Sequence, residues 1–403
     1  MKIWKKNLIV CWFGMFVSMI GLSQIAPVLP LYLKQLGIHD TGLIEQYSGI
    51  AFGCTYVVSA IFSPIWGKAA DKYGRKPMLL RASLGMAMVI FCMGLVSNVY
   101  QLIGLRLLQG VISGFGTACT TLIATQTDKE NAGFALGTLS TATIAGSLLG
   151  PVIGGYLDEI TGLKSVFFIT GGLLVIAFIT TLIFVKENFV RRDKKVLNMK
   201  EVWQSIPDPS LIITLFVTAF ILQLGLYSIE PIITVYVTQL SPNITHIALI
   251  AGMVFSISGL ANIIAAPRLG KLSDKIGPQK VMLVALVGAG IIFIPQAFVK
   301  NPWELMGLRF LLGLATAGLA PSITTLLKKV TPYAITGRIF GIGMSAQYLG
   351  IFAGSILGGQ VAAHFGIKYI FFITSSLLLI NALLVYKMVY KKLNTKGMPR
   401  KFI

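Results

Sequence analysis

Twelve long apolar runs, separated by short polar or charged stretches, set the rhythm of this chain. They fall near residues 7–33, 45–67, 77–97, 100–124, 135–157, 165–185, 210–240, 246–267, 281–299, 303–327, 338–362 and 369–386, and are numbered spans 1 to 12 in that order. Runs of roughly 18 or more apolar residues can cross a bilayer as helices. Helix is required because hydrocarbon offers no water to satisfy backbone amides. The runs are continuous, whereas barrel strands would alternate, so a transmembrane barrel is excluded. Span 1 carries no cleavage-site pattern and is read as a retained helix, not a signal peptide. The pattern predicts an all-α membrane protein.

The runs repeat at an offset of 203 or 204 positions. Gly67–Lys76 is echoed by Gly270–Lys280, Pro27 and Tyr32 by Pro231 and Tyr236, and Leu105-Arg106-Leu107 by Leu308-Arg309-Phe310. Lys164–Thr170 matches Lys368–Thr374 in the same way. Six spans is an even number, so both halves enter the membrane in one orientation as parallel repeats, an architecture of alternating-access transporters. The halves are read as 1–185 and 210–390, joined by a basic cytoplasmic linker over 186–209 and followed by a basic tail over 391–403. A short surface helix is expected near Met199–Ser205. The prolines of span 1 should kink its outer half.

Composition agrees: 55% of the 403 residues are hydrophobic and only 12% charged. The formal charge of +20 would suit a nucleic-acid partner, but its distribution argues otherwise. Lys and Arg crowd the amino-terminal side of the membrane, while the opposite side carries only Lys34, Lys164, Lys300 and Lys368. This asymmetry predicts a multi-pass cell-membrane protein with both termini cytoplasmic. Cys11, Cys54, Cys92 and Cys119 all fall within spans and are read as buried and inert, neither disulfides nor metal ligands. His39, His246 and His364 fall in outer loops, so no histidine proton relay is available. No phosphate-binding loop, nucleophile elbow or zinc pair is present, which points away from an enzyme or an ATP-driven pump and from any cofactor.

Three segments carry a resemblance. Gly67-Lys68-Ala69-Ala70-Asp71-Lys72-Tyr73-Gly74-Arg75-Lys76-Pro77-Met78-Leu79 resembles the loop signature of the major facilitator superfamily. Leu105–Gly110 resembles its span-4 arginine motif, and Gly146–Gly155 the span-5 motif of its proton-driven exporters. Together they are similar to the twelve-span drug:proton antiporters, closest to bacterial multidrug exporters of the quinolone-resistance type. The second half departs from these patterns: Gly277-Pro278-Gln279-Lys280 lacks the arginine, and Gly354-Ser355 stands where Gly150-Pro151 does.

Candidate residues fall into four groups. Gly67, Asp71, Gly74 and Arg75 form a charged turn remote from the membrane midplane and are read as a conformational latch. Asp71 could meet the amino-terminal end of span 11 near Gly337, a charge–dipole contact worth ~0.3–1 kcal/mol. The resemblance implies that Arg75 pairs with Asp128. Of the 14 acids only Glu230 lies well inside a span, and intramembrane acids are functional candidates. Glu230 is read as the proton-coupling carboxylate, with Arg106, which has the matching motif, assisting; Arg309 could instead snorkel. Gly146, Gly150, Gly154 and Gly155 recur on one helix face, where small residues allow close packing, and Pro151 should bend the helix. Gln24, Tyr32, Gln109, Tyr227, Tyr236, Asn262, Gln347 and Tyr348 are substrate-cavity candidates, each equally able to make a helix–helix hydrogen bond.

The expected function is proton-coupled efflux of lipophilic, cationic or zwitterionic drugs, with protons, drug and lipid bilayer as partners and a monomer sufficient for the pathway. A proton-linked transporter of one metabolite and a non-transporting receptor or scaffold are the alternatives.

Overall fold

The computed structural model describes residues 2–189, 199–242, 245–332 and 335–395. Residues 190–198 of the predicted linker and 396–403 of the predicted tail lie outside the described residues. The short helix expected ahead of span 7 is present at Met199–Gln204.

Among the described residues, 12 helical segments are long and apolar enough to span a membrane. They run Ile3–Ser23, Thr41–Tyr73, Arg75–Met93, Val99–Gln126, Glu130–Thr161, Leu163–Phe184, Pro209–Leu240, Ile247–Ile276, Pro278–Ala297, Pro302–Val330, Thr336–Phe365 and Ile367–Leu393. The first continues beyond a bend at Gln24 as Ile25–Gln35. Spans 2 and 8 run further than hydropathy predicts, to Tyr73 and Ile276. The charged stretch at 67–79 is therefore not a turn as a whole. Gly67 to Tyr73 are helical, and only Gly74 turns the chain, at φ +96°. Gly277 does the same before Pro278, at φ +97°. A side chain at either φ would be strained, which is why glycine occupies both.

Spans 1, 4, 7 and 10 are each interrupted between two helical segments. Span 1 bends at Gln24, three residues before Pro27, whose missing N–H leaves the Ser23 carbonyl without its helical donor. Span 7 breaks at Glu230–Ile232, a single 3₁₀ turn containing Pro231. Span 4 breaks without proline. In span 10, Pro321 follows Gly318 at the spacing Pro27 has from Gln24, and leaves the Ala317 carbonyl without its helical donor. Span 4 stops at Ile112 and resumes at Phe115. Span 10 stops at Thr316 and resumes at Leu319. Interrupted helices of this kind occur in transporters that place binding groups at half-helix ends.

The chain divides into two compact units, Met1–Asp193 with Pro231–Ser256 and Lys194–Glu230 with Ile257–Ile403. In the first, span 5 lies along span 1, and Leu8, Cys11, Met15, Leu79, Phe115 and Cys119 build an apolar core. Residues 231–256 join this unit through side-chain and backbone contacts: Thr234 Oγ1 donates to the Pro27 carbonyl at 2.6 Å, and His246 Nδ1 lies 2.7 Å from Glu159 Oε2. In the second unit span 11 lies along span 7 and span 9 against span 12, where Ser375 Oγ donates to the Gly290 carbonyl at 2.7 Å. Equivalent helix starts are capped equivalently. Asn98 accepts from the Gln101 N–H and Asn301 from the Glu304 N–H, at 3.0 and 2.9 Å. Cys11, Cys54 and Cys119 are buried as expected, whereas Cys92 is exposed, a correction to its sequence reading.

Candidate functional site

Glu230 sits where the first helix of span 7 gives way to the 3₁₀ turn, so proline chemistry fixes its place. The residue is half-buried, and its Oε2 is buried without a hydrogen-bond partner among the described residues. Arg309, on the first helix of span 10, is 2% exposed, and its Nε and Nη2 likewise lack partners among the described residues. The two opposite charges act on each other. In low-dielectric surroundings such a pair is strongly coupled, and removal of either member leaves the other uncompensated. Arg309 is thus no snorkelling side chain.

Arg106 occupies the matching place in the first half and is satisfied differently. It is 1% exposed, donating from Nε to the Ala51 carbonyl at 2.8 Å, from Nη2 to the Phe52 carbonyl at 3.3 Å, and from Nη1 to Gln109 Oε1 at 2.6 Å. Thr55 Oγ1 returns a bond to the Arg106 carbonyl at 2.9 Å. Gly110 makes the approach possible, since a Cβ there would come within 2.8 Å of the Val58 Cβ. Arg106 therefore ties span 4 to span 2 through backbone carbonyls.

At the Gly74 turn, Arg75 Nη2 lies 2.5 Å from Asp71 Oδ1. The partner expected from the resemblance, Asp128, instead pairs loosely with Lys2 at 3.9 Å. Spacing explains the correction, because residues four apart share a helix face. A residue the sequence reading missed completes the turn. The Glu187 carboxylate accepts from the Arg75 N–H at 2.8 Å and the Lys76 N–H at 2.7 Å, holding the orphan amides at the start of span 3. Its signal was an acid placed directly after span 6. Ahead of span 7, Asp208 accepts from Ser210 Oγ at 2.6 Å and Lys392 Nζ at 2.8 Å. Burial acts to raise its pKa, but the bonds from Lys392 and Ser210 outweigh it and hold the carboxyl below its ordinary value.

The span-5 glycines face backbone. A Cβ at Gly146 would lie 2.6 Å from the Met19 Cβ, and one at Gly154 2.7 Å from the Gln24 Cβ; at Gly150 it would run into Ser23 and Ile20. Gly155 instead faces Ala248, and Gly252 faces Pro151. The second half keeps the packing part of this motif, contrary to the sequence reading. Gly350, Gly354 and Gly358 meet the backbone of Phe220, Leu224 and Ser228 on span 7. Only the proline is lost.

The cavity candidates separate into two groups. Gln24 and Tyr32 are buried and bonded within the first unit, to Thr170 Oγ1 at 2.7 Å and the Met93 carbonyl at 2.5 Å. Gln109 is engaged with Arg106, and Tyr236 is 3% exposed. These four are buried among the helices. Tyr227, Asn262, Gln347 and Tyr348 are half-buried in the second unit, where Asn262 donates to the Ser258 carbonyl at 3.2 Å and Gln347 accepts from Gln223 at 3.3 Å. Glu45, which the sequence places at a span end, is only 3% exposed. Among the described residues no group of His, Cys, Asp and Glu has a metal-holding arrangement.

The profile of the Major Facilitator Superfamily matches residues 11–248 and 215–401. A multidrug resistance protein, MdtG, of Salmonella schwarzengrund is 45% identical over 381 residues, 94% of each chain. The MdtG of Salmonella newport is 44% identical over the same extent. Among solved structures, a bacterial homologue of the human lysosomal transporter Spinster, crystallised inward-facing and occupied, superposes with a TM-score of 0.81 at 12% identity, over 97% of this chain and 98% of its own.

Proposed function

The chain belongs to the Major Facilitator Superfamily, and from that premise we propose that it exports drugs in exchange for protons by alternating access. The observation that carries this reading is Glu230, an acid at the break of a membrane span, facing the charge of Arg309 with one carboxylate oxygen unpartnered. A coupling site must take a proton on one side and give it up on the other, and a nearby cation makes release sensitive to small movements. Inward passage of one proton supplies ~2.3 kcal/mol per 100 mV, enough for modest uphill efflux. The relatives named for multidrug resistance support drugs as the cargo.

In this scheme both termini are cytoplasmic and one chain suffices. Span 1–6 and 7–12 halves over 1–185 and 210–390 move about the 186–209 linker. Arg309 is the electrostatic partner in coupling, and Arg106 positions span 4. The Asp71–Arg75 pair and Glu187 keep the inner turn rigid, and the glycine seam on span 5 excludes water. Tyr227, Asn262, Gln347 and Tyr348 contact the substrate. The test is everted membrane vesicles energised with a proton gradient. Ethidium accumulation should collapse with a protonophore and fall to background in Glu230→Gln, compared at equal amounts of folded, monodisperse protein. Undiminished accumulation by that variant would sink the coupling role.

A further inference from the structure

The two repeats carry one groove twice. Where span 3 turns into span 4, Cys92, Leu95, Val96, Gln101, Gly104 and Leu105 line an open groove of about 490 Å³. Where span 9 turns into span 10, the residues 203 positions later, Pro295, Phe298, Val299, Glu304, Gly307 and Leu308, line one of about 400 Å³. Ile291, Ile294 and Leu311 are exposed beside the second groove, an apolar surface that belongs against hydrocarbon. An exposed aromatic precedes the polar residue of each groove, Tyr100 and Trp303, and these residue types sit at headgroup depth. Seven residues of helix from Glu304 to Leu311 span ~10 Å, enough for the upper part of an acyl chain. The shape recurs, but the charge does not. Glu304 stands where the first half has Gln101, and Lys300 where it has Ser97. Lys300 and Glu304 are both exposed, and the ion pairs among the described residues include neither.

Three explanations without a ligand fail on this geometry. Glycine weakens a helix and is commonly kept within a span so that another helix can approach. A Cβ on Gly104 or Gly307 would meet nothing within 4 Å, so no helix uses the space. Helix capping explains an oxygen at position 304 but not a charge. Glu304 accepts from the Lys300 N–H at 2.8 Å and from Asn301 Nδ2 at 2.7 Å. Gln101 Oε1 does the same work uncharged, accepting from the Ser97 N–H at 2.9 Å. Topology does not ask for Lys300 either, since it lies at the span ends that Lys and Arg otherwise avoid in this chain.

We propose that the span 9–10 groove binds a membrane phospholipid whose headgroup carries a primary ammonium. An acyl chain lies over Gly307 and Leu308, Glu304 accepts from the ammonium, and Lys300 answers the phosphate. A headgroup with both charges matches the pair, whereas a lipophilic cation would meet Lys300 as well as Glu304. The span 3–4 groove takes an acyl chain without choosing its headgroup. The site requires only that the chain crosses a bilayer, and does not depend on proton coupling. The full chain is reconstituted in phosphatidylcholine bilayers doped with dibrominated phosphatidylethanolamine or dibrominated phosphatidylcholine, whose bromines quench nearby tryptophan. The Trp303 signal is the difference between the protein and Trp303→Phe. Its quenching should favour the ethanolamine lipid about threefold, the worth of one interfacial ion pair, because the choline ammonium has no hydrogen to donate. Glu304→Gln should erase that preference, and Gln101 shows that the cap tolerates glutamine. Gly307→Leu should lower quenching by both lipids. A reporter at the other groove, Tyr100→Trp with Trp303→Phe, should show no preference until Ser97→Lys and Gln101→Glu are added. Equal quenching on wild type, a preference that survives Glu304→Gln, unchanged quenching in Gly307→Leu, or the same preference at Tyr100→Trp alone overturns the site.

Discussion

The two repeats share a skeleton and differ in charge. On span 5, Gly146, Gly150 and Gly154 admit span 1, and 204 positions later Gly350, Gly354 and Gly358 admit span 7. The breaks of spans 4 and 10 also correspond. Yet Arg106 is spent on the carbonyls of Ala51 and Phe52, whereas Arg309 keeps two unpartnered nitrogens beside Glu230. Arg81 and Trp66 flank one break, and Leu269 and Val281 the other. Packing is thus the conserved half of the design, because backbone approach depends only on the absence of a side chain. Charge is where the halves take separate tasks, since a buried charge must be answered locally.

The largest way to break this comparison is to fill the seams. Gly150→Leu and Gly354→Leu should each remove most folded, monodisperse protein, because overpacking against rigid backbone costs about 1–3 kcal/mol or more. Gly137→Leu and Gly341→Leu, at repeat-related positions where a Cβ meets nothing within 4 Å, should leave size-exclusion profiles unchanged. Loss at all four positions would mean that the seams are not special.

A smaller effect separates the two arginines. Arg309→Met and Arg106→Met should each lower stability by about 1–3 kcal/mol per orphaned group, read as a drop in melting midpoint. Adding Glu230→Gln should restore much of the loss in the first variant and none in the second. Restoration in both, or in neither, would remove the distinction. The smallest effect concerns the inner turns. Glu187→Gln should cost about 0.5–2 kcal/mol through the lost cap on span 3. The position 204 residues on is Lys391, and Lys391→Gln should stay within about 0.5 kcal/mol of wild type.

Much of the fold was legible. The breaks in spans 1 and 7 announced themselves through Pro27 and Pro231, because a missing N–H is a local defect. That in span 4 did not, since Ser113-Gly114 deletes no donor and bends only by context; the cue in span 10 was Pro321, which the sequence reading missed. Glu230 stood out as the lone acid deep in a span. Arg309 was undervalued because snorkelling or pairing depends on neighbours that hydropathy does not reveal. The loop signature pointed to Asp128 as the partner of Arg75, whereas the i, i+4 spacing already favoured Asp71. Gln24 and Tyr32 looked like cavity groups because polarity in a span marks either a pathway or a helix contact, and nothing local separates the two.

The sequence by itself determined the number of spans and their parallel repetition. Each depends on local composition: a helix must satisfy its own amides in hydrocarbon, and apolar length decides whether it can cross. Only the tertiary structure decided which polar groups are already answered. Gln24 finds Thr170, Arg106 finds Ala51, and Glu187 finds Arg75. Each pair lies far apart in the chain, and only helix packing brings its members together.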